Sequence, residues 1–78
     1  MMDIRYIARG ELLDGLAAYL ADARHAKGWT LREAEKHSGI DNAHISQIER
    51  GKITDPGWRI VTALEMAYGV APFERRKA

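Results

Sequence analysis

The chain has 78 residues, with 12 Lys and Arg against 11 Asp and Glu, a formal net charge of +1 and no cysteine. Such a length supports one hydrophobic core, and without cysteine there is neither a disulfide nor a thiolate metal site. No apolar run approaches the roughly 20 residues of a membrane span, and the start, MMDIRYIARG, has none of the parts of a secretion signal. A soluble, cytoplasmic protein is expected, in which any attraction to phosphate must come from how the charges are arranged.

Residues 1–11 read as an N-terminal arm, in which Ile4, Tyr6 and Ile7 partly alternate and permit a short strand. From about Leu12 to Lys27, Leu13, Leu16, Ala17, Leu20 and Ala23 recur at spacings of three and four, which marks one face of an amphipathic helix. Gly28 is placed to end it. Thr30-Leu31-Arg32-Glu33 has the form of a capping box, with Trp29 and Ala34 placed as a hydrophobic staple. This second helix is short, because Gly39 follows Ser38.

Asp41 caps a third helix expected over Asn42 to Arg50, with Ile45 and Ile48 on one face and Gly51 at its end. A fourth helix is expected from Asp55-Pro56, capped by the Asp and opened by the Pro. Its apolar stripe would be Trp58, Val61, Leu64 and Tyr68, and Gly69 would stop it. Pro72 is placed to open a last turn before Arg75, Arg76 and Lys77. The expected fold is all-α, a compact four- to five-helix bundle. It is organised as an arm (1–11), a helical domain (12–70) and a short basic tail (71–78).

The informative stretch is Thr30–Gly51, TLREAEKHSGIDNAHISQIERG. A recognition helix that enters the major groove needs a second helix bracing it across the backbone. Two short helices cross that tightly only through a residue of positive φ, normally Gly, and Gly39 stands there. Ala34 and Ser38 would line the inner side of the first of the two helices, Ile40 would plug the turn, and Ile45 and Ile48 would anchor the second.

Gly39-Ile40, the Ile45-Ser46-Gln47-Ile48 run and the ending Glu49-Arg50-Gly51 resemble the signature of the λ-repressor/Cro-like, or xenobiotic-response-element, family of bacterial and phage regulators. Arg24 before Gly28 and Pro56 after the third helix fit the same layout. The resemblance covers roughly residues 12–70 and implies a helix-turn-helix whose third helix reads DNA. Carried over, it gives base reading to Asn42, Ala43, His44 and Gln47. Asn or Gln can pair with adenine, Ala can touch a thymine methyl, and His can donate to guanine or phosphate. Ser46, Arg50, Lys52 and Thr54 are placed to hold phosphates. Arg24 and Glu49 are implied as a structural clamp between the first and third helices.

Two positions depart from the family pattern. Glu35 stands where a small residue is usual, so its carboxylate must snorkel past the helix crossing or find a cation. Leu31 stands where a phosphate-binding Gln is usual, which leaves that role to backbone N–H groups. Between Thr30 and Thr54 four cations (Arg32, Lys36, Arg50, Lys52) meet four anions (Glu33, Glu35, Asp41, Glu49).

Trp29, Trp58 and Tyr68 read as core or dimer-interface aromatics. His25, His37 and His44 match no common metal spacing, so no metal or other cofactor is expected. No nucleophile–base pair or phosphate loop points to an enzyme. The expected function is a sequence-specific transcriptional regulator, a repressor that binds double-stranded DNA as a homodimer on an inverted repeat. The alternative is a module of the same fold that docks another regulatory protein and has weak DNA affinity.

Overall fold

The computed structural model describes residues 9–73, with side chains from Gly15 onward. In chain order its elements are α1 (Arg9–Lys27), α2 (Leu31–Ser38), α3 (Asn42–Glu49) and α4 (Trp58–Tyr68). The described residues are therefore all-helical, as the periodicities predict. The expected arm strand at Ile4, Tyr6 and Ile7 and the Arg75-Arg76-Lys77 tail lie outside the described residues, and so does the side chain of Leu13.

Helix α1 starts at Arg9, earlier than the Leu12 at which the apolar periodicity becomes legible. It buries Leu16, Ala17, Leu20 and Ala23, the expected stripe. The capping box of α2 is present in full. Glu33 N donates to Thr30 Oγ1 at 3.1 Å, and Thr30 N donates to Glu33 Oε1 at 2.8 Å. Trp29, just before it, packs half-buried on the core. Its ring lies flat on His37, with centroids 4.1 Å apart and planes 5° apart. Lys27 Nζ sits 5.2 Å from the same ring.

Ala34 is fully buried, which lets α2 approach α3 closely. Gly39, at φ 80°, turns the chain between them, a conformation that costs an L side chain roughly 1–2 kcal/mol. Ser38 Oγ accepts from Ile40 N at 3.0 Å, and Ile40 packs on the core from the turn. Asp41 then caps α3, its Oδ2 accepting from Ala43 N at 3.0 Å and His44 N at 3.3 Å. The regular part of α3 closes at Glu49, and Arg50 forms its C-terminal boundary.

The fourth helix corrects two expectations. It begins at Trp58 rather than at Pro56, and Asp55 does not cap it. The cause is Gly57, whose φ of 94° no helix can pass through. Trp58, expected in the apolar stripe and read as a core or dimer-interface aromatic, is 54% exposed and so lies outside the core, while Val61, Leu64, Glu65 and Tyr68 form the buried face. By helical periodicity Trp58 falls at the border of that face. After Gly69 the chain returns along α1, where Tyr19 donates from its hydroxyl to Ala71 O and its ring meets Phe73 at 5.3 Å. Phe73 N donates to the buried Glu65 Oε2 at 2.6 Å, which gives that carboxylate its partner.

Helix α2 packs on α3 and α4, and α1 packs on both α3 and α4. One cluster of Leu16, Leu20, Ala23, Ala34, Ile45, Ile48, Val61, Leu64 and Tyr68 joins all four. Helix α3 therefore sits on the core through Ile45 and Ile48 and turns its other side outward.

Candidate nucleic-acid interface

The outward side of α3 starts from Asp41 and runs past Ala43 and Gln47, both exposed, with Asn42, His44 and Ser46 half-buried beside them. Beyond the helix end the backbone folds back on it. Lys52 N and Ile53 N both donate to Gln47 O, at 2.9 and 3.3 Å, and Gly51 N to Ile48 O at 3.1 Å. This tight exit holds Arg50, Lys52 and Thr54 next to α3, all three exposed. The eight residues expected at a nucleic-acid interface thus belong to one short helix and its exit.

Their surroundings differ. An open depression beside α3 is lined by Ala43, His44 and Gln47 together with Gly39, Asp41 and Ile60. Within it His44 Nε2 is buried and has no hydrogen-bond partner among the described residues. Asn42 is not a free surface amide. Its Nδ2 donates to Glu35 Oε1 at 2.7 Å, and its backbone N donates to the same oxygen at 3.2 Å. Glu35, expected to snorkel past the crossing or find a cation, pairs with no cation among the described residues and stays part-exposed. It has found the first residue of α3.

Leu31, where a phosphate-binding Gln would be usual, packs half-buried against the core. At the N-terminal turn of α2 the exposed side chain is that of Arg32, not Leu31.

The far end of α3 is tied by the Arg24–Glu49 pair. Arg24 Nε donates to Glu49 Oε2 at 2.8 Å, and its Nη2 donates to Oε1 at 2.9 Å. Arg24 Nη1 donates to Trp29 O at 2.8 Å, so one guanidinium joins α1, the α1–α2 turn and α3. The hydrogen bonds to Glu49 push the Arg24 pKa up from its ordinary value, against the opposing effect of burial. The Tyr68 hydroxyl lies nearby, buried without a hydrogen-bond partner. Burial, reinforced by the Glu49 charge, pushes its pKa up to about 12.

All four acids of Thr30–Thr54 accept hydrogen bonds from protein donors. Glu33 takes the backbone of Thr30, Glu35 takes Asn42, Asp41 caps α3 and Glu49 takes Arg24. The cations Arg32, Lys36, Arg50 and Lys52 all stand exposed. The equal tally of charges thus conceals an unequal arrangement, in which each acid, including the exposed Glu33 and Asp41, takes a protein donor, while all four bases face solvent. Among the described residues no three His, Asp or Glu converge on a common point, and no helix is long and apolar enough to cross a membrane.

Glu35 and the exposed Arg32 and Lys36 are the residues that the sequence reading left out of the site. The signal for Glu35 was its spacing of seven from Asn42 across the Gly39 turn, which brings an α2 carboxylate to the first turn of α3.

Two short helices crossing through a left-handed glycine, with the second packed on a core by one face only, define a helix-turn-helix. A family model described as a helix-turn-helix domain matches residues 15–78. The chain belongs to that helix-turn-helix family, and the family points to DNA binding. Comparison with curated proteins and with solved structures returns no match.

Proposed function

We propose that the chain is a sequence-specific transcriptional regulator of the λ-repressor/Cro-like kind, without catalytic activity, that represses by binding an inverted repeat as a homodimer. The observation that carries this reading is the outward side of α3. It presents Ala43 and Gln47 beside exposed cations, while the four acids of Thr30–Thr54 each accept a hydrogen bond from the protein. Gln47 reads a base edge, and Arg50 and Lys52 hold phosphates on either side of the groove.

One such domain makes few phosphate contacts, and affinity rests heavily on their number. A second copy doubles them and places two recognition helices about 34 Å apart, one turn of the duplex. The exposed side of α4, with Trp58, Arg59, Thr62, Ala63 and Met66, is the surface for that second copy.

Fluorescence anisotropy with DNA from the protein's own promoter region and with scrambled DNA, at two salt concentrations, tests the reading. Binding to the promoter should be preferred and should fall steeply with salt. Gln47→Ala should weaken specific binding by about 1–3 kcal/mol and relax one base position. Equal, feeble binding to both DNAs would refute the regulator. It would leave a module of this fold that docks another protein through the α4 surface.

A further inference from the structure

A carboxylate at the helix crossing has one evident structural use here. The first N–H groups of a helix lack partners inside it, and Asp41 Oδ2 takes those of Ala43 and His44. The backbone N–H of Asn42 is left over, and Glu35 Oε1 accepts it at 3.2 Å. That alone accounts for a tight start to α3. It does not account for the second bond, in which the same oxygen accepts the Asn42 side-chain Nδ2 at 2.7 Å.

The second bond decides how the amide faces. An ionised carboxylate only accepts hydrogen bonds, whereas an amide has a donor end and an acceptor end. The donor end of Asn42 must therefore be the one turned to Glu35, and the flipped amide would set oxygen against oxygen. Oδ1 is then held on the side away from Glu35, and no protein donor engages it among the described residues.

We infer that Glu35 is a positioning residue for base recognition: it locks the Asn42 amide so that α3 offers the major groove a hydrogen-bond acceptor. This rests on the DNA-binding reading above. The chemistry that an acceptor recognises there is an exocyclic amino group, which adenine carries at N6 and cytosine at N4. The O6 and N7 of guanine and the O4 of thymine are acceptors themselves and are repelled. Glu35 thus selects adenine or cytosine at one position of each half-site without touching DNA.

The test is selection of binding sites from randomised duplex DNA by the full chain, as wild type, Glu35→Ala, Glu35→Gln and Asn42→Ala. Wild type should select adenine or cytosine at one position of each half-site by roughly tenfold, the order expected of one good base contact. Asn42→Ala should abolish that preference, and Glu35→Ala should reduce it below about threefold at the same position. Glu35→Gln should restore it, because the Asn42 backbone N–H still requires the glutamine oxygen at that place.

A purely structural Glu35 would give a different pattern. Glu35→Ala would then weaken binding to all sequences evenly and leave the base profile intact, which overturns the inference. An unchanged profile in Asn42→Ala overturns it too, and this arm stands even if Glu35→Ala does not fold. Guanine or thymine at the Asn42-dependent position overturns the acceptor assignment. A wild type that enriches no sequence overturns the DNA-binding reading itself.

Discussion

Removing Arg24 tests whether α3 is held in place by a buried clamp or only decorated by a surface ion pair. The two side chains are 13% and 9% exposed, which places them between the buried and the exposed regimes. Arg24→Ala deletes both bonds to Glu49 and the bond to Trp29 O. It leaves a carboxylate and a carbonyl without these partners in a part-buried site. Breaking a buried pair from one side costs about 3–5 kcal/mol, and partial solvent access puts this pair near 3. The whole domain is worth only roughly 4–12 kcal/mol at its length, so the loss is a large share.

Urea unfolding followed by tryptophan fluorescence measures it, with the stability change taken from the midpoint at constant m. By thermal unfolding the same change should lower Tm by roughly 12–24 °C. The double substitution Arg24→Met with Glu49→Leu should recover most of the stability, since apolar side chains of similar size commonly replace a buried pair at no net cost. A double-mutant cycle should then give a coupling of about 2 kcal/mol or more. A coupling of about 0.5 kcal/mol or less, typical of exposed pairs, would refute the reasoning and leave Ile45 and Ile48 alone to hold α3.

Three further outcomes follow from the same geometry. Gly39→Ala should cost roughly 1–2 kcal/mol in urea unfolding through backbone strain alone, because a Cβ there meets nothing within 4 Å; a neutral result would mean that the turn relaxes. The neutral form of Tyr68 is favoured in the fold, so its stabilisation is complete below pH 10 and is lost as pH rises towards its pKa of about 12. The loss amounts to about 2–3 kcal/mol, and Tyr68→Phe should remove it while costing nothing at neutral pH. Urea midpoints of the two proteins that stay parallel between pH 9 and 11.5 would contradict this. Lys52→Ala should weaken binding to all DNA sequences evenly and reduce the slope of log affinity against log salt by about 1, as anisotropy titrations would show; a selective loss at one base would make Lys52 a reader.

The elements most legible in the sequence were those with chemistry at both ends. Thr30 and Glu33 cap each other, Gly39 turns the chain, Asp41 caps α3, and Arg24 meets Glu49 as the family resemblance implies. Such signals are local, or belong to a motif, and need no knowledge of the distant packing. The start of α4 was misread because Asp55-Pro56 is a good helix opening taken alone, and only the left-handed Gly57 vetoes it. For Trp58 the sequence leaves core and dimer interface open, since a stripe read from periodicity does not say where its border with solvent falls. His44 shows the same limit within the site. The sequence places it on the outward side of α3, but it does not reveal that Nε2 is buried.

Helix α3 has eight residues, below the roughly 12–15 at which an isolated helix becomes even marginal in water. Its shape and direction must therefore be imposed from outside. Asp41 and Glu35 hold its start, Glu49 holds its end through Arg24, and Ile45 and Ile48 seat its middle. Three of the four acids in the helix-turn-helix thus serve to orient α3, and the fourth, Glu33, caps the helix that braces it. On the proposed function, a segment of balanced charge can in this way serve a polyanionic partner. Neutralising those acids would raise the net charge and the general attraction to phosphate, yet it would loosen the surface proposed to read a sequence. On the proposed function, a helix-turn-helix whose four acids each accept a protein hydrogen bond and whose four bases stand exposed suits selective DNA binding better than a more basic one with a loosely held α3.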